Sequence, residues 1–163
     1  MNRLQSRILA AAVWVLSTTA ALPAAAQSYS FGVPLVEMQV FVQPDASVRI
    51  VYDITFRNNP GAHAIDVVDI GTPTPDYDLK NVEASSGKMT LRDIRVSEMV
   101  HPGFEVHMGA ARIPPGSEGK LHVEFSIPDL VFQDTTRKDY ASLRITPTWF
   151  GDQYVTGMTD LKV

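Results

Sequence analysis

The sequence predicts an all-β chain: an antiparallel, immunoglobulin-like β-sandwich behind a cleavable N-terminal signal helix. Three observations predict it. Residues 48–57 and 120–127 alternate apolar and polar side chains with a period of two, and successive strand side chains point to opposite faces. Turn signals recur at a spacing of roughly 8–12 residues. After the leader, no segment places its apolar residues at helical spacing. Several short strands with such turns, and no crossover helices, read as two packed sheets, with a closed barrel as the alternative.

The leader has the three parts of a secretory signal. Residues 1–7 are short and basic, and residues 8–16 are uninterruptedly apolar. Pro23 then breaks the run, and Ala24-x-Ala26 supplies the small residues a signal peptidase pocket requires. Cleavage is expected before Gln27. An uncleaved anchor is the competing reading, because residues 8–26 approach spanning length. Either way the remainder is expected outside the cytoplasm, secreted or held at the cell envelope. Removing 1–26 from 163 residues leaves 137, one domain's worth. The chain carries 14 basic and 18 acidic residues. Arg3 and Arg7 leave with the leader, so 12 stand against 18, a net of −6. Nucleic-acid binding needs a basic stripe and is excluded on that balance. There is no cysteine, hence no disulfide, thiolate metal site or cysteine nucleophile.

Residues 36–43 form the first expected strand, with Val36, Met38, Val40 and Val42 on one face. Pro44-Asp45-Ala46-Ser47 is a turn in which Asp45 bonds its own backbone. Residues 48–57 return antiparallel, with Val48, Ile50, Tyr52, Ile54 and Phe56 inward. Asn58-Asn59-Pro60-Gly61 is a second turn, followed by a third strand over 63–70. Residues 71–78 are a loop, because Pro73 and Pro75 remove backbone donors. A short strand is expected over 79–84. Residues 89–100 match neither period and are read as a strand with a bulge rather than a short helix. Phe104, Val106 and Met108 alternate with Glu105 and His107. Residues 113–119 are a rigid loop, and 120–127 are a clean strand with Leu121, Val123, Phe125 and Ile127 inward. Val131-Phe132 is a short strand, 134–139 a charged loop, and 140–146 a strand through Leu143 and Ile145. A last strand begins at Thr159. Because Leu161-Lys162-Val163 stops within an alternating pattern, the domain over 27–163 is expected to be cut short at its C-terminal end. No internal repeat or low-complexity linker is evident.

The hairpin of Val40-x-Val42, Pro44-Asp45-Ala46-Ser47 and Val48-x-Ile50-x-Tyr52-x-Ile54-x-Phe56 resembles the opening of extracytoplasmic domains in bacterial membrane-anchored proteins. The domain-of-unknown-function family 2207 is one such group. Further segments are similar to the N-terminal region of large secreted proteins of Chloroflexi-like bacteria. They are Asn59-Pro60-Gly61-Ala62-His63-Ala64-Ile65-Asp66 with Val68-Asp69-Ile70-Gly71, then Ile113-Pro114-Pro115-Gly116, Tyr140-Ala141-Ser142, and Pro147-Thr148-Trp149-Phe150-Gly151 with Tyr154-Val155-x-Gly157-x-Thr159-Asp160-Leu161. The resemblance spans most of the chain after the leader. It implies that the strand at Thr159 continues and that a membrane anchor follows. It brings no catalytic residues.

The residues themselves assemble no reactive constellation. His63, His101, His107 and His122 show neither the i, i+2 nor the i, i+4 spacing of a local metal pair. His107 and His122 lie on outward faces and could converge only across a sheet; two separate surface histidines are the plainer account. Asp66, Asp69, Asp76 and Asp78 crowd a Gly/Pro loop that could hold Ca²⁺, but the EF-hand pattern is absent, and aspartates are ordinary turn and cap formers. Asp53, Glu105 and Glu124 are strand carboxylates on solvent faces, and nothing selects two of them for glycoside hydrolysis. Ser142 lies in a strand, not on a nucleophile elbow. Gly116-x-x-Gly119 joins no strand to a helix and is no phosphate loop. Trp149, Phe150 and Tyr154 are either a stacking platform for a sugar or partner, or a cap on the core; the cap is the reading taken.

The sequence therefore points to a non-catalytic extracytoplasmic module, serving as structural, spacer or protein-interaction domain of a larger secreted or membrane-anchored bacterial protein. A carbohydrate- or calcium-binding accessory domain of a secreted enzyme is the alternative. No catalytic residue, metal ligand or cofactor is assigned. The expected partner is a protein or envelope component, with membrane contact only through the signal segment or a later anchor.

Overall fold

The computed structural model describes residues 28–163; the expected signal segment lies outside them. Eleven strands form: β1 (Phe31–Val42), β2 (Val48–Asn58), β3 (Val67–Gly71), β4 (Glu83–Ser86), β5 (Met89–Leu91), β6 (Ile94–Val96), β7 (Gly103–His107), β8 (Glu118–Ile127), β9 (Val131–Gln133), β10 (Ala141–Leu143) and β11 (Asp160–Lys162). A six-stranded sheet has the order β11-β1-β2-β8-β4-β5, and a three-stranded sheet the order β3-β7-β6. β9 and β10 form a separate two-stranded ribbon. Among the described residues the only helical turns are two short 3₁₀ pieces, Leu79–Asn81 and Gly109–Ala111. No described helix is long and apolar enough to cross a membrane.

The two large sheets pack face to face through the alternating residues. On β2, Val48, Ile50, Tyr52, Ile54 and Phe56 have no exposed surface. β8 answers with Leu121, Val123, Phe125 and Ile127 at 0–1% exposure. The register sets Ile50 opposite Phe125, Tyr52 opposite Val123 and Ile54 opposite Leu121, so the inward rows form one continuous wall. Phe104 of β7 meets Phe125 edge to face at 5.3 Å between centroids, joining the layers. Such aromatic pairs add to the free energy of area burial alone.

The first hairpin forms as the pattern predicts. Ser47 N–H and Oγ both donate to Asp45 Oδ1, and Ala46 takes a positive φ of 67° to close the turn. β1 starts at Phe31, five residues ahead of the expected start, because its register shifts between Gly32 and Leu35 and hides the period. Val42 is 55% exposed, although its register partner Val48 has no exposed surface.

Other expectations need correction. The third strand is only Val67–Gly71; Ile65 contributes an isolated bridge to Ile113. Residues 79–84 are not one strand. Asp78 caps the Leu79–Asn81 turn, and pairing resumes at Glu83. Residues 89–100 match neither period because the chain changes layer there: β5 edges the six-stranded sheet and β6 the three-stranded one. The strand expected over 140–146 shrinks to Ala141–Leu143. The last strand does not pair antiparallel. β11 runs parallel to β1, with Val36 beside Leu161 and Glu37 beside Lys162.

Candidate functional site

The outer faces of both sheets present charge, but in neighbouring pairs. On the six-stranded sheet Arg49 donates to Glu124 at 3.1 Å, Arg57 to Glu118 at 3.1 Å, and His122 Nδ1 lies 2.9 Å from Asp53. On the three-stranded sheet His107 Nε2 lies 2.7 Å from Glu105. Arg95 grips Asp93 with two bonds of 2.7 Å, and those bonds hold the Asp93 carboxyl below its ordinary value. Exposed pairs of this kind contribute little to stability. His107 and His122 do not converge: they stand on different sheets, each on the side away from the shared core. Asp53 and Glu124 share one sheet face, and Glu105 belongs to the other sheet. Asp53 and Glu124 are partly exposed, each beside a basic partner, whereas Glu105 is largely covered beside His107.

The four loop aspartates are dispersed among separate tasks. Asp66 accepts from the Tyr29 hydroxyl, and Asp69 from Ser97 Oγ. Asp76 N–H donates to Thr74 Oγ1. Asp78 accepts from Lys80 N–H and from the Asn81 amide. Among the described residues no three of the His, Asp and Glu side chains gather as a metal centre would require. Burial and the bond to Asp66 push the Tyr29 phenol far up, so it stays protonated at any ordinary pH.

The three aromatics near the C-terminus divide. Phe150 does cap the core, edge to face with Phe56 at 5.3 Å and Phe31 at 6.1 Å. Trp149 points away from it and is 79% exposed, against the capping expectation. Tyr154 is partly exposed and meets Tyr29 edge to face at 6.4 Å. Only Phe150 of the three packs on the core.

Buried polar side chains tie the strands together at Tyr52, Thr148, Asn58 and Ser97, and periodicity alone does not reveal them. The Tyr52 hydroxyl, deep between the sheets, accepts from Thr148 N–H at 2.9 Å. Thr148 Oγ1 in turn accepts from Gly71 N–H at 3.1 Å, so one threonine ties β2 to the end of β3. A tyrosine in an inward row carries a signal of its own, because a buried hydroxyl needs a partner. Asn58, 1% exposed, donates from its amide to the His63 and Ile113 carbonyls, both at 2.9 Å. Ser97, also 1% exposed, accepts from Met99 and Val100 N–H.

Two hollows mark the surface. One, of about 480 Å³, is lined by Pro75, Tyr77, Leu79, Val96, His101, Pro102 and Gly103. Tyr77 donates its hydroxyl to Gly103 O at 2.6 Å, and a Cβ on Gly103 would lie 2.6 Å from Ile70 O, so only glycine allows this approach. The other, of about 330 Å³, lies among Met38, Val40, Leu143, Ile145, Pro147 and Val163. Neither holds a nucleophile beside a base. The large apolar side chains are distributed unevenly. Eight of the thirteen exposed among the described residues lie beyond Leu130, and no hydrophobic side chain beyond Leu130 is fully buried. No protein-family model and no curated protein matches the chain.

Proposed function

We propose that the chain is a non-catalytic, extracytoplasmic, immunoglobulin-like β-sandwich module that serves a larger secreted or membrane-anchored bacterial protein as an interaction domain. The observation that carries this reading is the contrast between paired, solvated sheet faces and the exposed apolar side chains beyond Leu130, among them Trp149 and Met158 at 79% and 92% exposure. Exposed large apolar side chains gathered in one part of a chain are a feature of contact sites. Four changes of layer, between β2 and β3, β3 and β4, β5 and β6, and β7 and β8, support the sandwich description. The three-part leader supports export, and the resemblance to membrane-anchored bacterial domains supports the larger context.

Two experiments test this reading. Expressed in a bacterium with its leader intact, the protein is expected outside the cytoplasm with Gln27 at its N-terminus; cytoplasmic retention with Met1 in place would overturn the export claim. The purified product is expected to turn over no chromogenic ester or glycoside, and turnover abolished by a single carboxylate substitution would overturn the non-catalytic claim. A sugar-binding accessory role is the second reading, favoured by Trp149 alone, since Phe150 is committed to Phe31 and Phe56.

A further inference from the structure

The hollow of about 480 Å³ lies where two stretches of chain meet. Pro75, Tyr77 and Leu79 line it from one stretch, and Val96, His101 and Pro102 from the other. None of its lining residues lies beyond Leu130. Hollows of this size, walled mainly by rings and aliphatic groups, are the ordinary form of a ligand site.

The backbone of the hollow narrows the choice of occupant. Four of its carbonyls are already engaged: Pro75 O accepts from Tyr77 N–H, Leu79 O from Val82 N–H, Pro102 O from Thr72 N–H, and Gly103 O from both Ser97 N–H and the Tyr77 hydroxyl. An occupant that brings backbone N–H groups would bury them with few acceptors, which costs free energy. Proline carries no N–H, and a proline-rich segment holds an extended helix without internal hydrogen bonds. Such segments seat their rings in grooves lined by aromatic side chains.

Charge selects the occupant's second property. Asp76 and Asp78 alternate with Pro75, Tyr77 and Leu79, and Glu98 follows Val96 by two positions. The basic neighbours are Lys80 and Arg95, and Arg95 is gripped by Asp93. Asp76 and Glu98 are exposed, and among the described residues neither makes an ion pair, unlike the charges on the sheet faces. The field of such charges reaches about 8 Å at physiological salt, far enough to act on a segment seated in the hollow. It favours a cationic one.

We propose that this hollow is a docking groove for a basic, proline-rich segment of a partner protein, bound extended, with its proline rings on Pro75, Tyr77 and Val96 and its cations toward Asp76 and Glu98. The proposal rests on the interaction-module reading and names the chemistry of the partner. The probe is a labelled peptide of repeated Pro-Pro-Arg units, which at three residues per turn keeps its arginines on one ridge. Fluorescence anisotropy with the exported protein is expected to show saturable binding. The same peptide with alanine for proline keeps the charge and is expected to bind roughly tenfold more weakly. Val96→Asp adds a favourable charge but removes part of the apolar wall, and is expected to weaken binding roughly tenfold. Its melting temperature is expected to match the parent's, because Val96 is 58% exposed. Asp76→Lys combined with Glu98→Lys is expected to weaken binding and to flatten its dependence on salt. No saturation at millimolar peptide would overturn the proposal. So would an alanine peptide that binds equally well, since charge alone would then hold it, or a folded Val96→Asp protein that binds undiminished. A groove that takes no peptide, in a protein without turnover, leaves the non-catalytic reading standing. Turnover of an ester or glycoside would sink that reading and leave the peptide binding intact.

Discussion

The β2–β8 pair and the segment beyond Leu130 are built by different means. In the first, ten consecutive register pairs bring two fully alternating strands together, and every inward side chain is covered by the opposing sheet. Beyond Leu130 the strands are three residues long; β11 pairs with β1 over three residues, and the rest is held by individual contacts: Thr148 to Tyr52 and Gly71, Phe150 on Phe31 and Phe56, and Phe31 with Tyr154 and Thr156. Area burial scales with the number of covered side chains, whereas isolated bonds each contribute only about 1 kcal/mol net. The first region therefore sets global stability, and the second can open on its own.

The largest expected effect breaks both regions together. Ile54→Asp puts an unpaired charge at a position with no exposed surface and is expected to cost more than about 4 kcal/mol, leaving no cooperative melt. A melt like the parent's would show that β2 faces the other way. Asn58→Ala removes two amide bonds at the end of β2 and leaves the His63 carbonyl without that donor. A loss of about 2 kcal/mol in denaturant unfolding is expected, and no loss would mean that the amide is not needed there.

Tyr52→Phe cuts the tie between the regions. It is expected to cost about 1 kcal/mol and to speed proteolysis around Trp149 more than it lowers the melting temperature. The variant also has a pH signature. Burial raises the Tyr52 phenol above its ordinary value of 10.0, with the bond from Thr148 N–H opposing in part. Above that value the unfolded phenol loses its proton while the folded one keeps it. Unfolding then releases protons, and stability falls as pH rises. Tyr77, raised by burial, and Tyr29 act in the same sense. The decline above pH 10 is expected to be shallower in Tyr52→Phe, and identical slopes would contradict the assignment. Trp149→Ala is expected to change stability by less than about 0.5 kcal/mol, since the ring is 79% exposed; a larger loss would place the ring in the core.

Legibility in the sequence follows the same division. A half-covered strand writes its burial into a period of two, so the inward rows of β2 and β8, the Asp45 turn and the 71–78 loop are readable residue by residue. Residues 89–100 are not, because Leu91 and Ile94 serve different layers and no single period describes them. The parallel placement of β11 depends on where the intervening chain returns, which local pattern does not encode. Trp149 and Phe150 are adjacent aromatics with opposite fates, and the contacts that distinguish them, Thr148 with Tyr52 and Phe150 with Phe31 and Phe56, lie far apart in sequence. Site-like features are harder still. The loop aspartates look alike in sequence and differ only in which donor lies near each of them.

Native-state hydrogen exchange, followed residue by residue, tests most directly the claim that a rigid two-sheet body carries a separately held contact segment. Amides of β2 and β8 are expected to exchange only with global unfolding, and those beyond Leu130 through openings of much lower free energy. Equal protection across both regions would contradict the account.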